Sequence, residues 1–129
     1  MAEKPRILLV EDEDNIAIAI EVLLGRAGYD LVRVSRGDQA LPNIRAQQPD
    51  LVVLDVTLPG CSGYEVCQRL RSDPTLSHIP VLMMSARVSQ AEQRKGLAMG
   101  ADAFLTKPFA MDDLKGLVAR LIAGGPHEN

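Results

Sequence analysis

Leu51-Val52-Val53-Leu54-Asp55 places four apolar residues in succession and closes on an acid. A strand wetted on one face alternates apolar and polar side chains, whereas a strand covered on both faces reads as a continuous apolar run. This segment is therefore predicted to be an inner strand with layers above and below it. Four further short runs flank it along the chain: Ile7-Leu8-Leu9-Val10, Leu31-Val32-Arg33-Val34, Val81-Leu82-Met83-Met84 and Ala103-Phe104-Leu105-Thr106. Those at 7–10 and 81–84 are again wholly apolar and belong inside, while those at 31–34 and 103–106 are mixed and suit the edges. Longer stretches of helical spacing separate the five. Strand alternating with helix predicts an α/β fold: a doubly wound five-stranded parallel sheet with five helices. Right-handed crossovers on both faces give it the order 2-1-3-4-5.

Two helix starts carry capping boxes, Ser62-Gly63-Tyr64-Glu65 and Ser89-Gln90-Ala91-Glu92, in which serine and glutamate satisfy free backbone N–H groups reciprocally. Leu114, Leu117, Val118, Leu121 and Ile122 make one apolar face of a final helix that should end before Gly124-Gly125-Pro126. After Ser35-Arg36-Gly37-Asp38 another helix should begin, yet Pro42 lies inside it, where it removes a donor and crowds the preceding turn. A kink or a late start is predicted there. The chain, 129 residues and 47% apolar, is read as one domain over 1–129 with its core at about 5–123 and a frayed tail at 124–129.

Composition narrows the function classes. The net charge is −3 with acids and bases interleaved, so no electrostatic footprint for nucleic acid or an anionic membrane is visible. The first apolar run is interrupted at Glu11, far short of the roughly 20 residues a membrane span needs. A cytoplasmic location is expected. Cys61 and Cys67 match no common metal or redox spacing, and with His78 and His127 as the only histidines a soft-metal site lacks ligands.

The residues that follow the strands carry the chemistry: Glu11 and Asp12 after the first, Asp55 closing the third, Ser85 after the fourth, Lys107 after the fifth. Any one of them alone is ordinarily a cap, a turn residue or a solvated charge. In a doubly wound sheet, however, all five converge on one rim, where ligands bind. Three carboxylates together repel one another and have raised pKa values unless a cation neutralises them. An all-oxygen site with open positions suits Mg2+, with Mn2+ an acceptable substitute. With a metal and a lysine on opposite sides of a carboxylate, attack by that carboxylate on phosphorus is the natural reaction. Asp55 ends the most rigidly held strand and is the candidate nucleophile. Glu11 and Asp12 are placed to hold the cation, Lys107 to pair with phosphoryl oxygens and Ser85 to offer them a hydroxyl. Pro108 restricts the Lys107 backbone and admits a cis bond.

The chain resembles the CheY-like receiver domains of two-component response regulators over essentially its whole length. The blocks are Leu9-Val10-Glu11-Asp12-Glu13, Asp55-Val56-Thr57-Leu58-Pro59-Gly60, Ser85-Ala86-Arg87, Gly100-Ala101-Asp102 and Lys107-Pro108-Phe109. The resemblance implies that Asp55 is phosphorylated by a histidine kinase or histidine phosphotransfer protein. It implies Mg2+ held by Asp12, Asp55 and the Thr57 backbone carbonyl, with Glu11 assisting through water. Such a domain catalyses only its own phosphorylation and dephosphorylation. Ser85 and Phe104 are then the switch residues, reshaping the surface of the fourth helix, fifth strand and fifth helix for a downstream protein partner. Glu11, Ser85 and Phe104 stand where Asp, Thr and Tyr are frequent, and none of these changes removes a required group. Arg87 is similar to its counterpart in OmpR-like receivers, and the expected state is a monomer or a weak phosphorylation-dependent dimer.

Other readings fit less well. A flavodoxin-like cofactor binder needs a Ser/Thr/Gly-rich phosphate loop where this chain has Glu11-Asp12-Glu13-Asp14. A phosphohydrolase resembling the haloacid dehalogenases needs a second acid at Thr57. A pseudo-receiver that binds a partner without phosphorylation is the alternative that remains.

Overall fold

The computed structural model describes residues 4–124 apart from 87 and 88. Its strands are β1 (Arg6–Val10), β2 (Asp30–Val34), β3 (Leu51–Asp55), β4 (Val81–Ser85) and β5 (Ala103–Thr106). Its helices are α1 (Asp14–Arg26), α2 (Ala40–Gln47), α3 (Gly63–Ser72), α4 (Gln90–Ala98) and α5 (Met111–Gly124). The strands form one parallel sheet in the order β2-β1-β3-β4-β5, as expected, with β2 and β5 at the edges.

The continuous apolar runs are accounted for by two cores. Leu8, Val10, Val52 and Leu54 face one side and pack with Ile44 of α2 and Val66, Cys67 and Leu70 of α3. Ile7, Leu9, Leu51 and Val53 alternate with them onto the other face, against Ala17, Ile20 and Leu24 of α1 and Leu114 and Val118 of α5. Every β3 residue is buried. Each fully enclosed leucine or isoleucine contributes roughly 1.5–3 kcal/mol, so the sheet's centre is the rigid part of the molecule.

Pro42 is accommodated by a late start. A short 3-10 turn, Gly37–Gln39, precedes α2, and Pro42 becomes the third helical residue, where a backbone N–H has no partner within the helix in any case. Ser62 and Ser89 accept from the Glu65 and Glu92 N–H groups as capping requires. The reciprocal half differs at Glu65, whose carboxylate pairs with Arg69 instead. At the other end, α5 includes Gly124, one residue beyond the predicted stop. The rest of the expected tail, and Arg87, lie outside the described residues. Among the described residues no helix is long and apolar enough to cross a membrane. Both cysteines are free, and burial pushes the Cys67 thiol up to about 11, which makes it a core side chain rather than a nucleophile.

Candidate functional site

Strand register sets the rim. Val10 pairs with Leu54, and Asp55 with Met84, so the residues just past β1 and at the end of β3 come level with the last residues of β4. Ser85, one residue on, pairs with Thr106, which places Lys107 immediately beyond. The Lys107-Pro108 bond is cis.

Glu11, Asp12 and Asp55 each offer a carboxylate oxygen, and these oxygens lie within 4.8 Å of one another. Glu11 is wholly buried and Asp55 nearly so, whereas Asp12 is exposed on the rim. The Lys107 ammonium donates to Glu11 Oε1 and to Asp55 Oδ2, both at 2.8 Å. Sequence reasoning set Lys107 and the metal on opposite sides of Asp55. The structure places it between Asp55 and Glu11, bridging them. Glu11 Oε2 accepts from the Glu13 N–H at 3.0 Å, and Asp55 Oδ1 takes only a long contact, 3.4 Å, from the Thr57 N–H. Thr57 is exposed on the loop after β3, and Ser85 is buried at the end of β4.

The electrostatics follow from the burial. Enclosure holds the Glu11 carboxyl above its ordinary range, against the opposing pull of Lys107 and the Glu13 N–H, and the neighbouring Asp55 adds to the rise. Enclosure alone would depress the Lys107 ammonium, but its bonds to Asp55 and Glu11 outweigh that and raise it above the usual lysine value. Lys107 is thus a fixed cation at neutral pH, shared by two acids. The donor set is hard oxygen with one member open to solvent, which fits Mg2+ and offers no soft ligand. Lys107→Ala leaves Glu11 and Asp55 side by side without that cation. An expected loss of about 2 kcal/mol follows in EDTA, partly restored by Mg2+, and urea denaturation with and without the metal checks it.

Phe104 is not at the rim. It lies on β5 opposite Met83, half-buried, and its ring meets Gly96 of α4, where an added Cβ would come within 2.9 Å of it. The α4 glycine is therefore what lets the helix sit on this aromatic. Beside Lys107 a cleft of about 420 Å³ is lined by Ile16, Ile20, Phe109 and Met111 among others.

Sequence reasoning passed over two arginines, one that grips the site and one that braces the far end of β4. Arg33 of β2 donates through Nε and Nη2 to the Glu11 carbonyl, at 3.0 and 2.8 Å. Arg71 of α3 ties the start of β4 to the turn before β5. The one available signal for Arg33 was a cation inside a short, otherwise apolar run next in order to an acidic loop.

Comparison with known proteins adds family context. Residues 7–119 match the response regulator receiver domain. The phosphate regulon transcriptional regulatory protein PhoB of Rhizobium meliloti is 37% identical over 118 residues, covering 92% of this chain and 52% of that protein. The chain thus spans about half the length of this curated relative. A putative response regulator from Chloroflexus aurantiacus superposes with a TM-score of 0.90 at 35% identity, over 94% of this chain and 99% of that one. The receiver domain of the sensor histidine kinase PA1611 from Pseudomonas aeruginosa, with a magnesium ion coordinated in its active-site cleft, gives a TM-score of 0.86 at 29% identity. It covers 93% of this chain and 98% of its own.

Proposed function

The chain belongs to the response regulator receiver domain family, and from that premise we propose that Asp55 is the phosphate-accepting side chain of a Mg2+-dependent switch. The observation that carries the reading is the trio of carboxylates within 4.8 Å, with Asp55 tied to a buried lysine at 2.8 Å. Asp12, Asp55 and the Thr57 carbonyl would hold the metal, with Glu11 assisting through water; the carboxylates gathered within 4.8 Å support a cation there, and the Pseudomonas aeruginosa receiver with magnesium in its active-site cleft supports the choice of ion. When bound, Mg2+ or Mn2+ neutralises the acids and the incoming phosphoryl oxygens.

The rest is done by the chain's own residues. An Asp55 carboxylate oxygen attacks the phosphorus of a phosphohistidine, forming a P–O bond while the P–N bond breaks and its electron pair leaves on the imidazole nitrogen. Lys107, held by Glu11, transfers one hydrogen bond from Asp55 to a phosphoryl oxygen without changing charge. Ser85 supplies a hydroxyl from the adjacent strand end. Phe104 and Ser85 then carry the change to the α4-β5-α5 surface, where a downstream protein docks. The donor is a histidine kinase or phosphotransfer protein, and the apolar cleft beside Lys107 supports a protein partner at that rim. One receiver unit spans the chain, and it works in the cytoplasm as a monomer or weak phosphorylation-dependent dimer.

Incubation with acetyl phosphate and Mg2+ should add one phosphate, labile to hydroxylamine as an acyl phosphate is, and peptide mapping should place it on Asp55. EDTA should prevent it. Label on another residue, or none at all, overturns the reading and leaves a binding module.

A further inference from the structure

The acidic loop is held from β2, the edge strand beside β1. The Glu11 N–H donates to the Val34 carbonyl at 3.1 Å, and the Glu11 carbonyl accepts the two Arg33 bonds already described. Both backbone polar groups of Glu11 are therefore fixed by consecutive β2 residues. The third arm of the same guanidinium, Nη1, donates to Asp14 Oδ1 at 2.9 Å, at the first turn of α1. The Glu11 carbonyl and the Asp12 N–H belong to one planar peptide, so holding the oxygen sets the direction in which the chain enters Asp12. Asp12 itself is exposed, and its carboxylate bonds no other described residue. Its position depends on what grips the loop on either side, and Arg33 grips both sides at once.

Resting on the reading of this rim as a cation site, we propose that Arg33 is a positioning residue for the metal. It orients the Glu11-Asp12 peptide so that the oxygens of Glu11, Asp12 and Asp55 face one point. Simple charge makes the opposite prediction: a guanidinium beside the acids repels a divalent cation, so its removal should tighten binding. The sign of the effect separates the two.

Mg2+ titration of the full chain by isothermal calorimetry, with melting in EDTA as a check of the fold, decides the matter. In Arg33→Gln the Mg2+ dissociation constant should rise roughly tenfold, the low end of what removing an outer partner of a metal ligand costs. Arg33→Lys, which keeps the charge but loses the fork, should fall between the two, and it serves where the glutamine variant does not fold. A merely structural Arg33 would lower the melting midpoint and leave Mg2+ affinity unchanged well below it. Unchanged or tighter binding in Arg33→Gln overturns the inference while the site reading stands. A wild-type chain that takes up no Mg2+ overturns the site reading itself, and the inference with it.

Discussion

Asp55→Asn is expected to take up no phosphate from acetyl phosphate in Mg2+, a complete loss rather than a slowing. The amide has nearly the shape of the carboxylate, so the β3 end and its neighbours keep their places. What disappears is the anionic oxygen that attacks phosphorus, together with one of three charges that hold the cation. Lys107 still has Glu11 as an acceptor at 2.8 Å. Three acids and one lysine carry a surplus of negative charge, so removing one acid relieves repulsion even as a charged hydrogen bond becomes a neutral one. The variant's melting temperature in EDTA should therefore be no lower than that of the parent chain, which separates this loss from a folding lesion. Intact-mass measurement after the labelling reaction checks the first outcome and calorimetric melting the second. Labelling that persists in the variant would remove Asp55 from the assignment.

How far this site was legible depends on the kind of contact. Strand order and the convergence of Glu11, Asp55, Ser85 and Lys107 followed from local patterns, because each residue is the terminus of an apolar run and run ends share an edge in a parallel sheet. Pro42 announced its own effect because its missing donor is a backbone matter. The bridging of Glu11 and Asp55 by Lys107 was not legible in detail. It joins residues 96 and 52 positions apart, and only the folded sheet, with β1 and β4 on either side of β3 and β5 beside β4, brings the three side chains together. Arg33 was hidden for the same reason: in an edge strand an arginine is ordinarily a solvated charge, and its bond to a backbone carbonyl 22 positions away leaves no mark in composition or spacing. The capping box at Ser62 shows the converse limit. Glu65 had the right spacing, yet its carboxylate found Arg69 one turn along the helix.

Gly100-Ala101-Asp102 was read from sequence only as part of a family pattern, and its physical role lies in the contact with Arg71. That guanidinium donates to the Gly100 carbonyl at 2.8 Å, to Ser77 and Ile79 carbonyls at 3.0 and 2.6 Å, and to Asp102 Oδ2 at 2.7 Å. Asp102 Oδ2 also accepts from the Val81 N–H at 2.8 Å, where β4 begins. Gly100 has a positive φ of 109°, and a Cβ there would meet the Arg71 side chain at 2.5 Å, so glycine answers both the turn and the close approach. One side chain thus closes the α3–β4 loop and the α4–β5 turn together, at the end of β4 opposite Ser85. Arg71→Ala strips the donors from three carbonyls and breaks the ion pair with Asp102, which is only 18% exposed. Breaking such a pair costs about 3 kcal/mol, the lower end for a buried ion pair because some water reaches it. For a chain of this length that corresponds to a fall of roughly 10 °C or more in melting temperature. Because β4 carries Ser85 to the rim, labelling of Asp55 should survive at low temperature and fail well before it does in the parent chain. Thermal melting monitored by circular dichroism, paired with labelling across the same temperatures, tests both parts. A melting point within a few degrees of the parent would show that Arg71 decorates this junction rather than holds it.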